Sequence, residues 1–231
     1  MSAGPLSSLL GPTIRRSFAV GRVNVVVAAG GSLVWGTLLS LTPGGDFASL
    51  FPLLLPVLGT IGAVGPMLVF TNDRTKGVYE YLIAYGVPPL EIFVSVLGAA
   101  FTMVAVVDGL TLAVAISLRL TLGLSIPLAF TETLLGYSLP MSFGAAALTT
   151  AAGMYWTSLA SPRQGMNSPL GILPMIGVAP GALGLIVAES AGPAYRIYVL
   201  IAVVTVVVVL AVVLLALESR LMPRERLLSP A

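Results

Sequence analysis

The chain of 231 residues contains no Cys and no His. The first absence removes disulfides, thiol nucleophiles and thiolate metal ligands. The second removes Ser-His catalytic pairs, His-ligated haem and nearly every zinc site. Charge is also scarce. Asp, Glu, Lys and Arg make up 9% of residues, against about 25% in an ordinary soluble domain. Only one Lys is present, Lys76, and the residues before it are Asn72-Asp73-Arg74-Thr75. No Gly-x-x-x-x-Gly-Lys phosphate loop exists, so nucleotide chemistry of that kind belongs to another polypeptide. Intramembrane aspartyl proteolysis needs two facing Asp residues within spans. Of Asp46, Asp73 and Asp108, the first two fall in connectors. The basic residues form no cluster suited to nucleic acid.

What is present is apolar. Hydrophobic residues account for 57% of the chain, with a mean hydropathy of +1.04. So few charges cannot solubilise that much apolar surface in water. The composition is that of an all-α integral membrane protein, with a transport, channel or assembly role rather than an enzymatic one. A helical span needs roughly 20 apolar residues, which leaves room for about six. Charge-poor windows place them at 23–41, 48–70, 92–118, 127–159, 169–188 and 197–217. The fourth is over-long and is expected to begin or end at an interface. The fifth carries Pro169, Pro174 and Pro180. Backbone groups freed by Pro cannot face lipid unsatisfied, so this span is expected to be broken or re-entrant.

Basic residues orient the spans, because Lys and Arg near span ends stay cytoplasmic. Arg15, Arg16, Arg22, Arg74, Lys76, Arg163, Arg220, Arg224 and Arg226 mark one face, and Arg119 and Arg196 the other. Both termini and the 72–91 and 160–168 loops are therefore expected in the cytoplasm. Residues 1–22 read as a cytoplasmic interfacial segment and 218–231 as a cytoplasmic tail. Leu6, Leu10, Ile14 and Phe18 recur every fourth residue beside Arg15 and Arg16. That stripe predicts a short helix on the inner membrane surface, although Pro12 interrupts it. The alternative is a juxtamembrane tail that only sets topology.

Residues 71–93 carry the most specific pattern. Charges cluster at Asp73, Arg74 and Lys76, an amphipathic segment runs from Gly77 to Ala84, and Gly86-Val87-Pro88-Pro89 breaks it before the next span. Val78, Leu82 and Tyr85 can share one helical face, with Glu80 off it. Such a short helix, pinned between two spans, can carry a push from a soluble partner into the membrane.

This stretch resembles the ABC-2 type permeases, the membrane subunits of one class of ABC transporters. Asp73-Arg74 stand for that family's acidic-basic pair, and Gly77, Glu80 and Leu82 match its Gly-x-x-Glu-x-Leu core. Pro88-Pro89 match its turn, and Val78-Tyr79 replace its usual Thr-Leu. The polar break after Leu159, followed by a Pro/Gly-rich segment to Gly181, is similar to the family's approach to its fifth span. The resemblance implies a multi-pass permease of a prokaryotic plasma membrane, paired with a second permease copy in a homodimer or heterodimer. It also implies two copies of a separate ATP-binding subunit that holds ATP and Mg, with no cofactor in this chain. Asp73, Arg74, Lys76, Gly77, Tyr79, Glu80 and Leu82 would then form the ATPase-coupling segment, and Arg163 a lesser contact. The alternative for these charges is a solvated loop that enforces topology. The substrate would be hydrophobic or amphipathic. A similar layout in haem-exporter membrane subunits is a variant of the same class, and a channel or assembly protein working without ATP is a further alternative.

Two acidic residues lie inside expected spans. A carboxylate at the position of Asp108 costs about 2.5–3.5 kcal/mol on insertion scales, so it faces the bundle or a wet cavity. It is a polar point on a substrate path, a proton-sensitive group, or a structural group hydrogen-bonded to Thr111, Ser117 or another helix. Glu132 is the second candidate for the pathway, with an ion pair to Arg119 as the simpler expectation.

Overall fold

The computed structural model describes residues 5–20, 22–42, 44–159, 179, 186, 187, 190 and 193–221. Among these there is no β-strand. The helices are α1 (Pro5–Val20), α2 (Arg22–Leu41), α3 (Gly44–Thr75), α4 (Val78–Ala84), α5 (Pro89–Thr121), α6 (Leu128–Thr133), a π-helical turn (Leu134–Ser138), α7 (Leu139–Leu159) and α8 (Pro193–Leu221). Leu55–Thr75, Pro89–Thr121 and Ile197–Leu217 are each long and apolar enough to cross a membrane. The protein is thus an all-helical membrane protein. Most of the expected fifth span, 169–188, lies outside the described residues, as do Arg163 and residues 222–231.

The expected windows mark the middles of longer helices. α3 extends the 48–70 window to Gly44–Thr75, and α5 extends 92–118 to Pro89–Thr121. Charged residues end the apolar windows, but they do not end helices that continue past the lipid. At the start of α5, Pro88 is extended (φ −69°, ψ 143°) and Pro89 opens the first turn. Proline suits that position because its missing N–H would have no helical partner. The over-long fourth window is one continuous helical run from 128 to 159 that carries a π-helical turn. It comprises α6, the π-helical turn and α7. Pro140, two residues past that turn, cannot donate to the Gly136 carbonyl and crowds it, which accounts for the widened backbone just ahead of it. α1 runs unbroken through Pro12, with the Thr13 hydroxyl donating to Leu9 O at 2.8 Å and the Ser17 hydroxyl to Thr13 O at 2.7 Å.

α3 is the hub, packed against α1, α2, α5 and α7, while α8 packs on α7. Tyr137, Met141, Ala145 and Leu148 meet Leu200, Val207 and Ala211 of α8 in one buried cluster. The far side of α8, with Val206, Val209, Val212 and Val213, is exposed and apolar, as a lipid-facing surface requires. α3 and α7 approach closely at Gly59. A Cβ there would collide with the Ser142 hydroxyl oxygen, which itself donates to Leu55 O at 3.2 Å.

The end of α5 nearest Arg119 is tied by that residue, which is only 3% exposed. Its Nε and Nη2 donate to Ser125 O at 3.2 and 3.0 Å, and its Nη1 donates to Thr42 O at 3.1 Å and Ser40 O at 3.4 Å. One guanidinium therefore joins the end of α2 to the end of α5 and the connector that follows. The expected pairing with Glu132 does not form among the described residues. Glu132 is exposed on α6, while the planar donor fork of Arg119 serves main-chain carbonyls that have no helical partners.

The contact at Gly59 predicts a specific pattern of rescue. Gly59→Ala should lower stability by roughly 1–3 kcal/mol through overpacking. Adding Ser142→Ala removes the colliding oxygen and should restore most of the loss in thermal unfolding of the purified protein. Losses that simply add would contradict this packing.

Candidate functional site

The 71–93 stretch folds as a compact turn against the bundle. The Lys76 N–H donates to Asn72 O and the Gly77 N–H to Arg74 O, both at 3.1 Å, which closes the end of α3. Gly77 then takes φ 70°, a left-handed conformation that a side chain disfavours. This reverses the chain into α4. At the far end the Tyr85, Gly86 and Val87 N–H groups donate to Tyr81 O, Ile83 O and Leu82 O at 3.0, 2.9 and 3.0 Å. α4 is thus a short helix held at both ends and followed directly by the Pro88-Pro89 start of α5.

One side of α4 is built into the protein. Tyr79 is 3% exposed and packs with Phe70 of α3, Ile92, Phe93 and Val96 of α5 and Met154 of α7, and Leu82, Ile83 and Val87 border the same cluster. The Phe70 and Tyr79 ring centroids are 5.1 Å apart. Burial, and then the Asp73 carboxylate, pushes the Tyr79 phenol well above its ordinary value of 10.0, so it stays neutral. The opposite side carries Tyr81 and Tyr85, 68% and 76% exposed, with ring centroids 5.3 Å apart. The expected face of Val78, Leu82 and Tyr85 is therefore rotated. The residue spacing suited either side, and the aromatic cluster of Phe70 and Phe93 selects Tyr79 as the anchor.

Asp73 and Arg74 are buried where α3 meets α4. Arg16 of α1 grips Asp73 with both guanidinium nitrogens. Its Nη1 donates to Oδ2 at 2.6 Å, and its Nη2 donates to Oδ1. This is an ion pair between α1 and α3. Leu10 of the same helix lies over Gly98 of α5. So α1 is strapped to α3 and α5 beside the turn.

The structure therefore sorts the residues singled out in the sequence. Asp73, Arg74, Gly77, Tyr79, Glu80 and Leu82 come together at one end of the bundle with Arg16. Lys76 is exposed there, and so is Arg15 on α1. Asp108 is fully buried in α5, and Glu132 is exposed on α6, well removed in sequence from the turn. Sequence reasoning missed Tyr81 and the outward placement of Tyr85. Their spacing of four residues on a short helix was the available signal. It also missed the partnership of Arg16 with Asp73, which no local pattern encodes.

No protein-family model, curated protein or solved structure matches this chain. The chain is a helical membrane protein with a structured polar turn at one end of its bundle.

The Arg16–Asp73 clasp is intermediate in burial, with side-chain exposures of 43% and 6%. Removing Arg16 strands a buried carboxylate, so Arg16→Ala should lower stability by about 2 kcal/mol, between the values for exposed and buried pairs. Arg16→Asp combined with Asp73→Arg should be more stable than the sum of the two single changes in a double-mutant cycle. Strict additivity would show that the pair does not hold α1 in place.

Proposed function

We propose that this chain is the membrane subunit of an ABC-2 type ATP-driven exporter, and that α4 is the surface on which a separate ATPase subunit sits. The observation that carries the reading is the two-sided character of α4. A helix of seven residues has one side locked into α3, α5 and α7 through Tyr79 and the other side bare, with two tyrosines outward. Tyrosine is well suited to a docking contact. It offers a large apolar face and a hydroxyl, with little side-chain freedom to lose. Exposed Lys76 adds a positive rim.

In this reading α4 is a cytoplasmic coupling helix. Movement of the docked ATPase reaches the bundle through the Tyr79 cluster, and Asp73 and Arg74 act through packing rather than by touching the partner. Arg16 and Asp73 keep α1 in the same moving unit. Six spans with both termini inside agree with the distribution of basic residues. ATP and Mg are held by two copies of the partner, and two permease copies form a pathway for a hydrophobic or amphipathic substrate between them. The membrane is the plasma membrane of a prokaryote.

Co-purification with the ATP-binding subunit tests the reading. Tyr81→Ala combined with Tyr85→Ala should weaken the complex by about 30-fold, a typical hot-spot loss, while the permease alone elutes and unfolds as before. A complex of unchanged affinity, hydrolysing ATP normally, would refute α4 as the docking surface.

A further inference from the structure

Asp108 is a second unusual feature, independent of α4 and of any ATPase. It lies near the middle of the 33-residue α5 and is 1% exposed. Neither carboxyl oxygen has a hydrogen-bond partner among the described residues. Its surroundings are polar in a restricted way. Ser142 of α7 lies beside it. The Ser142 hydroxyl donates to Leu55 O at 3.2 Å. Thr111, one turn along α5, donates to Val107 O at 2.8 Å, and Ser32 of α2 donates to the same carbonyl at 3.4 Å.

A hydroxyl has one proton to give and lone pairs to receive with. The Ser142, Thr111 and Ser32 hydroxyls donate to main-chain carbonyls, and none of them makes a hydrogen bond to the Asp108 carboxyl. A carboxylate is purely an acceptor. An isolated buried charge is strongly disfavoured. No cation at this depth offsets it among the described residues. The charged residues of the packed helices stand at other positions: Arg15 and Arg16 on α1, Arg22 on α2, Asp46, Asp73 and Arg74 on α3, Glu91 and Arg119 on α5, and Arg196, Glu218 and Arg220 on α8. α7 has no charged residue. The nearby phenols also lie elsewhere, Tyr137 being packed against α8 and Tyr155 lying towards the far end of α7.

We propose that Asp108 is an intramembrane proton-binding site. In the closed bundle it is the neutral acid, buried beside Ser142. When α3, α5 and α7 separate and water enters, the O–H bond breaks, the proton passes to water, and the carboxylate that remains is solvated. Opening of the bundle is thereby linked to release of one proton per chain.

The chain has three aspartates, so the site can be read directly. The full-length protein is labelled with 13C at the aspartate side-chain carboxyl and placed in vesicles of phosphatidylcholine and phosphatidylglycerol. Solid-state NMR at neutral pH in choline chloride should show one of three carboxyl signals at the neutral-acid position. That signal should vanish in Asp108→Asn and persist when sodium or potassium chloride replaces choline chloride. If Asp108→Asn does not fold, Asp46→Asn and Asp73→Asn assign the signal by elimination. Three carboxylate signals would overturn the proposal. So would a neutral-acid signal that converts to carboxylate on adding sodium or potassium, because the site would then take a metal cation.

Discussion

Lipid offers no hydrogen bonds, so most polar groups that this chain brings inside are answered by the chain itself, with Asp108 an exception. That constraint organises the structure. Hydroxyls within the bundle turn back onto helix carbonyls, as Thr102, Thr111 and Ser142 do. The buried guanidinium of Arg119 finds three main-chain carbonyls. The buried carboxylate of Asp73 finds Arg16, 57 residues earlier. What is left over on α2 and α8 is apolar and faces outward. Charge is rationed in composition because each buried charge obliges the fold to supply a partner.

The two tied ends differ in character. At the Arg119 end one side chain binds backbone, which fixes helix ends and the connector without offering a reactive group. At the α4 end, ion pair, aromatic cluster and left-handed glycine together hold a short helix whose other side stays bare. A stiff connection on one face and an open aromatic surface on the other is what a force-transmitting element needs, since slack at either would dissipate the motion. Asp108 lies between these ends, where changes in helix packing would alter access of water to a carboxyl group.

Much of this was legible from residue order. The helices follow from apolar windows, the α4 reversal from Gly77, and the start of α5 from Pro88-Pro89. Windows underestimate α3 and α5 because hydropathy registers the lipid boundary rather than the last helical hydrogen bond. The π-helical turn before Pro140 was hidden inside a uniformly apolar run. The outward face of α4 was not readable, since Val78, Tyr79, Leu82 and Tyr85 allow more than one inward side, and only Phe70 and Phe93 decide. Arg119 was expected near Glu132 by proximity in sequence, and residue order gave no sign that its guanidinium reaches the Ser40 and Thr42 carbonyls at the end of α2. Long-range pairs such as Arg16–Asp73 leave no periodic trace.

The α4 turn and the Arg119 turn stand at opposite ends of α5, and the proposed function places α4 inside the cell. Single cysteines introduced at Lys76 and at Leu122, in a chain that has no other cysteine, test it through labelling with a membrane-impermeant maleimide. The account predicts that position 122 labels on intact cells and position 76 only after the membrane is opened. Labelling of both positions from the same side, or of position 76 on intact cells, would contradict it.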